Sequence, residues 1–317
     1  MDSQRTLIVV ITAYNEEAAL PATHQRLAAV LDTLALSTRV LYVDDGSRDN
    51  TWAVLEAIAA RDPRVGLLRL SRNFGKELAL TAGLDHAGDA DAVVVLDADG
   101  QDPPELIPEF VAKWHQGFDV VYGTRAERAG ESWLKRITAA VFYRVLTRLS
   151  HTEVPPDTGD FRLLSRRVLD ALGQLRERRR FMKGLFAWVG FRQCAIVYRR
   201  EPRVAGSSKF SYWKLWNFAL DGITSFSTVP LRVTTYVGLL TALIALLYGV
   251  WIVARTLLHG DPVPGYPSLM TVILFLGGVQ LIALGLIGEY LGRLYDEAKQ
   301  RPLYLIAAVR PPALGDD

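Results

Sequence analysis

The chain has 317 residues, enough for one large domain or two smaller ones with a well-filled core. Its 36 Lys and Arg against 34 Asp and Glu leave a net charge of +2, which argues against nucleic-acid binding driven by bulk electrostatics. A hydrophobic share of 50% and a mean hydropathy of +0.14 are high for a wholly soluble enzyme, and the excess is concentrated late in the chain. The single cysteine, Cys194, excludes an internal disulfide and suits a reducing compartment.

The apolar run Leu7–Ile11 is too short for a secretory signal and predicts a first strand, which runs into Tyr14-Asn15-Glu16-Glu17. A helix follows, with Leu20, Leu27, Val30, Leu31 and Leu34 on one face. Val40–Val43 predicts a second strand, ending in Asp44-Asp45-Gly46-Ser47, and Asp49-Asn50-Thr51 supplies cap chemistry for a helix through Ile58. Val65–Leu70 is the third strand; Arg72-Asn73-Phe74-Gly75-Lys76 and a helix over Glu77–His86 come after it. Val93–Leu96 has the length and β-branching of a buried strand. It ends in Asp97 and Asp99, with Gly100 permitting a sharp turn and Pro103-Pro104-Glu105 opening a helix.

Strands alternating with helices predict a parallel, doubly wound sheet whose polar loops gather at the carboxyl ends, where ligands bind. Two carboxylates at the end of a buried strand are costly unpaired, so a cation is their simplest partner. Hard oxygen ligands suit Mg²⁺ or Mn²⁺, which in turn hold a diphosphate. A bare D-x-D also describes a solvated loop. What decides is the set: acids after strands one, two and four, and a lysine after strand three.

YNEE, DDGS, RNFGKE and DADGQDPPE, in this order, closely resemble the family-two glycosyltransferases of the GT-A fold. The chain is most similar to the polyprenyl-phosphate hexosyltransferases: bactoprenol glucosyltransferases, dolichol-phosphate mannose synthase and the undecaprenyl-phosphate aminoarabinose transferase. The resemblance implies that Tyr14, Asn15, Glu17, Asp44, Asp45, Lys76 and Asp97 line a nucleotide-sugar pocket, Asp44 near the base. It implies that Asp99 and Gln101, with Asp97, hold a divalent cation, Mg²⁺ or Mn²⁺. Gly100 departs from the apolar residue usual in the family, which implies a looser loop. The resemblance places catalysis at Asp160 and Arg125. A lipid phosphate, with a second pKa of about 6, is already anionic, so Asp160 need not take a proton from it.

Downstream, Val120–Tyr122 predicts another strand, followed by Gly123-Thr124-Arg125, and a helix over Trp133–Leu149 carries Lys135, Arg136 and Arg144. Residues Pro155–Arg162 read as a loop leading into Leu163-Leu164. Arg176–Arg180 and Lys183 form a basic cluster beside Leu185–Val189, as on a surface touching anionic lipid. Arg203–Phe210 resembles the family's R-x-x-G-x-S-K element. Arg125, Lys135, Arg136, Arg203, Ser208 and Lys209 are the implied lipid-phosphate contacts. Tyr212–Phe226, rich in Trp and Phe, predicts a helix lying in the bilayer interface.

Val233–Val253 and Leu269–Ile287 are long and apolar enough to cross a bilayer core of about 30 Å. The distribution of Lys and Arg keeps the catalytic domain and the tail cytoplasmic. The expected architecture is therefore α/β: a GT-A, Rossmann-like, mostly parallel catalytic domain at 1–205, then an interfacial amphipathic segment at 206–230. A transmembrane hairpin at 231–292, with spans of about 233–255 and 269–290, precedes a cytoplasmic tail at 293–317. The expected function is inverting transfer of a hexose from a UDP-sugar to undecaprenyl or another polyprenyl phosphate at the bacterial inner membrane, by a homotetramer. Glucose comes ahead of N-acetylhexosamine and aminoarabinose. A processive polysaccharide synthase is disfavoured because no Q-x-x-R-W occurs. A silent nucleotide-sugar-sensing scaffold would have little use for Asp97, Asp99 and Asp160 together.

Overall fold

A computed structural model describes residues 5–125, 158–178, 180–199, 229–259 and 265–313. The predicted helix 133–149 and interfacial segment, and with them Lys135, Arg136, Arg144, Arg203, Ser208 and Lys209, lie outside the described residues, as does the Arg125 side chain. The chain divides into two compact units, Met1–Phe218 with Arg301–Asp317, and Ala219–Gln300.

In the first unit, strands β1 (Thr6–Ala13), β2 (Ser37–Asp44), β3 (Val65–Leu70) and β4 (Ala92–Asp97) are parallel. Their crossovers contain α1 (Leu20–Leu31), α2 (Thr51–Ala59) and α3 (Lys76–Asp85). Val9, Val10 and Ile11 on β1, like Val93 and Val94 on β4, are fully buried, as apolar runs covered on both faces must be. A 3₁₀ turn at Pro104–Leu106 then enters α4 (Ile107–His115), and β5 (Val120–Arg125) follows.

The second half of this unit departs from the predicted pattern. Residues 158–162, expected as loop, belong to strand β6 (Thr158–Ser165), which is antiparallel to both β4 and β5. Thr158, Asp160 and Arg162 share one face of β6 and alternate with Phe161 and Leu163 on the other. The polar face is buried too, and a strand with buried polar residues shows no apolar alternation to recognise. Phe161 packs its ring 4.6 Å from that of Phe110 on α4. Helices α5 (Arg166–Gln174) and α6 (Met182–Trp188) precede β7 (Gln193–Tyr198), which pairs parallel with β5.

A final strand, β8 (Ile306–Arg310), returns after the hairpin and pairs antiparallel with β3. The eight strands run β7-β5-β6-β4-β1-β2-β3-β8. Close packing of α3 on this sheet is legible at Gly83. A Cβ added there would lie 2.3 Å from Val10 Cγ1 and 3.0 Å from Val43 Cγ2. Gly83→Ala is expected to destabilise the protein by about 1–3 kcal/mol, read as a lowered Tm in thermal denaturation of the detergent-solubilised protein.

The second unit is a pair of helices in mutual contact, α7 (Val229–His259) and α8 (Tyr266–Ala298). Both are long and apolar enough to cross a membrane, over Val233–Ile252 and Thr271–Ala298. They expose large apolar side chains such as Leu239, Leu246, Leu257 and Leu281, which water would not favour.

Candidate active site

The carboxyl ends of β1, β2, β3 and β4 carry four loops that are bonded to one another. Beyond β1, Asn15 adopts φ +54°, a left-handed conformation that asparagine tolerates better than most residues. Its Oδ1 accepts the Arg48 N–H at 2.9 Å, and its own N–H donates to Ser47 Oγ at 3.0 Å. The Glu16 N–H donates to Thr51 Oγ1, and Glu17 Oε2 accepts the Asn50 N–H, both at 2.9 Å. The first and second loops thus hold each other in place, with Tyr14 half-buried between strand and loop.

Asp45 ties the second loop to the third. Its buried carboxylate accepts the N–H groups of Phe74 and Gly75, at 2.7 and 2.9 Å, and the Asn73 amide at 2.9 Å. Burial raises its pKa, and the two backbone donors work against that rise. Gly46 sits at φ +63° with the Arg72 backbone so near that a Cβ would meet its carbonyl carbon at 2.4 Å. Asp44 is fully buried. Its Oδ1 accepts the Ser47 N–H at 2.9 Å, while Arg69 Nε stands 3.2 Å from Oδ2, within ion-pair range. Among the described residues Oδ2 has no hydrogen-bond partner, so it retains its capacity to accept.

Lys76 opens α3, and antiparallel β6 sets Asp160 within its reach beside Asp97 at the end of β4. The Lys76 ammonium lies 2.7 Å from Asp97 and 2.5 Å from Asp160 Oδ2. Partial burial opposes the charge on Lys76, but Asp160 and Asp97 outweigh it and hold the pKa above the ordinary lysine range. For Asp160, burial would favour the acid; Lys76, Lys183 and Arg162 overcome it and hold the carboxylate well below its usual range. Asp160 Oδ1 is buried with no hydrogen-bond partner among the described residues.

Three further residues, not singled out by the sequence, bear on this cluster. Glu77 accepts the Met182 N–H at 2.9 Å, and burial, then the charge of Asp160, pushes it up to about 7. Arg162, on the same face of β6 as Asp160, lies over the Phe186 ring at 3.9 Å and donates from Nη2 to the Gly159 carbonyl at 2.8 Å. Burial lowers its pKa to about 10. Asp102 is buried and accepts the Tyr198 hydroxyl at 2.5 Å, fastening the acidic turn to β7. The only signal for these in the sequence was membership of polar stretches already quoted.

The acidic turn itself bends at Gly100, with φ +69°. The Gln101 N–H donates to Asp99 Oδ1 at 3.1 Å, and both residues are half-buried. Among the described residues no three His, Cys, Asp or Glu side chains converge as an all-protein metal cage. Asp97, Asp99 and the Gln101 amide instead offer hard oxygens of the kind that would suit Mg²⁺ or Mn²⁺. The residues fit a cation shared with a bound diphosphate.

The family model for glycosyl transferase family 2 matches residues 8–173, spanning all four of these loops. The chain belongs to glycosyl transferase family 2. Residues 229–294, which include most of α7 and α8, match the GtrB C-terminal hairpin. A glycosyltransferase of Synechocystis sp. is 54% identical over 301 residues, covering 95% of this chain and 94% of the relative. The bactoprenol glucosyl transferase of Shigella phage SfV is 49% identical over 298 residues, 94% of this chain and 97% of the other. A prophage bactoprenol glucosyl transferase homolog of Escherichia coli is 45% identical over 302 residues, 95% and 98% of the two chains. This transferase therefore carries a GT-A-like catalytic unit and a hairpin of family type on one chain.

Proposed function

We propose that this transferase moves a glucosyl group from UDP-glucose to a polyprenyl phosphate, with inversion at the anomeric carbon. The observation that carries the reading is the Lys76–Asp97–Asp160 cluster next to the Asp99–Gln101 turn, on a chain whose end-to-end relatives bear the name bactoprenol glucosyl transferase.

Asp44 Oδ2, buried and able to accept, suits the ring N–H of uracil. Asp45 holds the Arg72–Lys76 loop in shape, so its part in donor binding is indirect. Tyr14, Asn15 and Glu17 form the opposite wall. Lys76 turns from Asp97 towards the diphosphate, a pairing that exchanges one anion for another. Asp160 retains Lys76 through Oδ2 and accepts a sugar hydroxyl on Oδ1. Asp99 and Gln101, with Asp97, would hold a divalent cation, which would supply charge neutralisation for departing UDP. The acceptor phosphate is anionic at neutral pH and forms its bond to the anomeric carbon as the bond to UDP breaks. It needs cationic guidance, for which Arg125, Lys135, Arg136, Arg203, Ser208 and Lys209 remain the proposed residues.

The chain path supports a membrane-spanning hairpin with both ends on one side. Residues before α7 and after α8 share one sheet through the β3–β8 pair, so the number of crossings is even. The charge distribution puts that side in the bacterial cytoplasm, and resemblance to the tetrameric branch of the family suggests a homotetramer. A panel of nucleotide sugars, scored by mass spectrometry of the lipid product, tests the reading. A polyprenyl phosphohexose formed best from UDP-glucose is the expected result. No lipid product from any UDP-sugar would overturn it.

A further inference from the structure

Strand β3, the loop after it and α3 form the continuous stretch that carries Lys76, and two adjacent residues of the tail hold both ends of that loop and helix. At the near end β8 pairs with β3 as far as Leu70, opposite Ile306. The Ser71 N–H then donates to the Leu305 carbonyl at 2.8 Å, just before the Arg72–Lys76 loop begins. At the far end the Tyr304 hydroxyl donates to Asp85 Oδ2 at 2.8 Å. Asp85 is the last residue of α3, and the ring of the next residue, His86, meets that of Tyr304 edge-on with centroids 6.2 Å apart.

The Asp85 carboxylate is a junction of three segments. Arg176 Nη1, from the stretch between α5 and α6, donates to the same oxygen at 2.7 Å. With 17% of the Asp85 side chain exposed, both donors meet a largely desolvated anion, where charge-assisted bonds are strong. Burial, then the bond to Asp85, raise the Tyr304 pKa, so the hydroxyl keeps its proton and remains a donor. The loop between the two anchored ends needs such support. Ser71, Arg72 and Asn73 are exposed, and Gly75 stands at φ +98° with open space where a Cβ would be. Packing alone therefore does little to fix the loop, and its order rests on hydrogen bonds, to Asp45 within the site and to the tail at its ends.

We propose that Tyr304 is a positioning residue for donor binding. Through Asp85 it fixes the carboxyl end of α3, while the neighbouring Leu305 fixes Ser71, and together they hold Lys76 where the donor diphosphate arrives. This rests on the proposed function and adds to it a part of the chain that touches neither substrate. Holding the loop in its bound shape beforehand removes an ordering cost that the donor would otherwise meet. A tail that merely covered the open edge of β3 would need the strand pairing but not the bond from Tyr304 to a helix end.

The test uses the full-length protein in detergent, with Tyr304→Phe as the principal variant because it keeps the ring beside His86 and removes only the hydroxyl. The Kd for UDP and the KM for UDP-glucose are expected to rise about fivefold, with the KM for polyprenyl phosphate changed less than about twofold. Tm should fall by no more than about 3 °C. Hydrogen exchange should quicken over residues 71–78 and stay unchanged over β1. In an Asp85→Ala background, Tyr304→Phe should change the Kd for UDP by less than about twofold, since the two residues act as one contact. Unchanged exchange over residues 71–78, or equal losses for donor and lipid, would overturn the assignment and leave the tail as a cover for β3. The exchange measurement needs no substrate, so it decides on Tyr304 even if transfer from UDP-glucose is not observed.

Discussion

Asp99→Ala is expected to lower sugar transfer by about 10³-fold while moving Tm by no more than about 3 °C. The stability expectation follows from local structure. Asp99 is half-buried, and the hydrogen bond that its Oδ1 accepts from the Gln101 N–H stays within a turn that Gly100 already bends and that Asp102 anchors to Tyr198. The activity expectation follows from charge. Asp97 is already compensated by Lys76, and Asp99 adds a second carboxylate of the turn towards a bound cation. Losing the cation from a departing diphosphate removes several kcal/mol of charge stabilisation, and each 1.4 kcal/mol is about a factor of ten. Transfer measured after chelation should return on adding Mn²⁺ to the wild type and not to the variant. A variant with a tenth or more of wild-type activity would show that the cation, if used, is held elsewhere.

Asp160→Asn is expected to lower activity far more than stability. The carboxylate is 8% exposed, and Lys76, Lys183 and Arg162 outweigh its burial, so its charge contributes to stability at neutral pH. The amide keeps the shape and drops the charge. Lys76 retains Asp97, and with 45% of its side chain accessible, water screens what imbalance remains. Tm should therefore fall by a few °C, because the amide leaves Lys76, Lys183 and Arg162 short of an anion. Transfer should fall about 10²-fold or more, because the variant loses the negative charge and keeps one acceptor oxygen, which cannot serve both Lys76 and the sugar. Both quantities come from one preparation, by thermal melt and by initial rate at saturating lipid. A rate within about threefold of wild type would exclude Asp160 from the reacting centre. A Tm fall above about 10 °C would mean that its charge is structural.

The two substitutions also differ in what announced them. Asp99 stood in a run whose apolar strand, acids, glycine and prolines are consecutive, so local chemistry was enough to place it at a strand end. Asp160 was assigned through resemblance, and its segment was read as loop. Strand β6 hides because Thr158, Asp160 and Arg162 fill the face that would otherwise alternate as apolar. The same holds for β8: Ile306–Arg310 is five residues long and mostly exposed, too short and too solvated to carry a periodic signal. Asp45 shows the reverse case. The DDGS stretch pointed to two similar acids, yet one keeps an accepting oxygen and the other is consumed by the Asn73–Gly75 backbone and side-chain donors. No spacing rule distinguishes them, because the donors come from a loop about 30 residues away.

By itself the sequence determined the parallel βα half of the sheet, the edge where polar loops collect, and two apolar helices. These follow from periodicity, strand length and turn residues, all local properties of the chain. Only the tertiary structure decided that Lys76 bridges Asp97 and Asp160, that Arg162 and Glu77 border the same cluster, and that the tail closes the sheet against β3. Those pairings join residues far apart in the chain, and they depend on strand order and register, which long-range packing selects and no short stretch encodes.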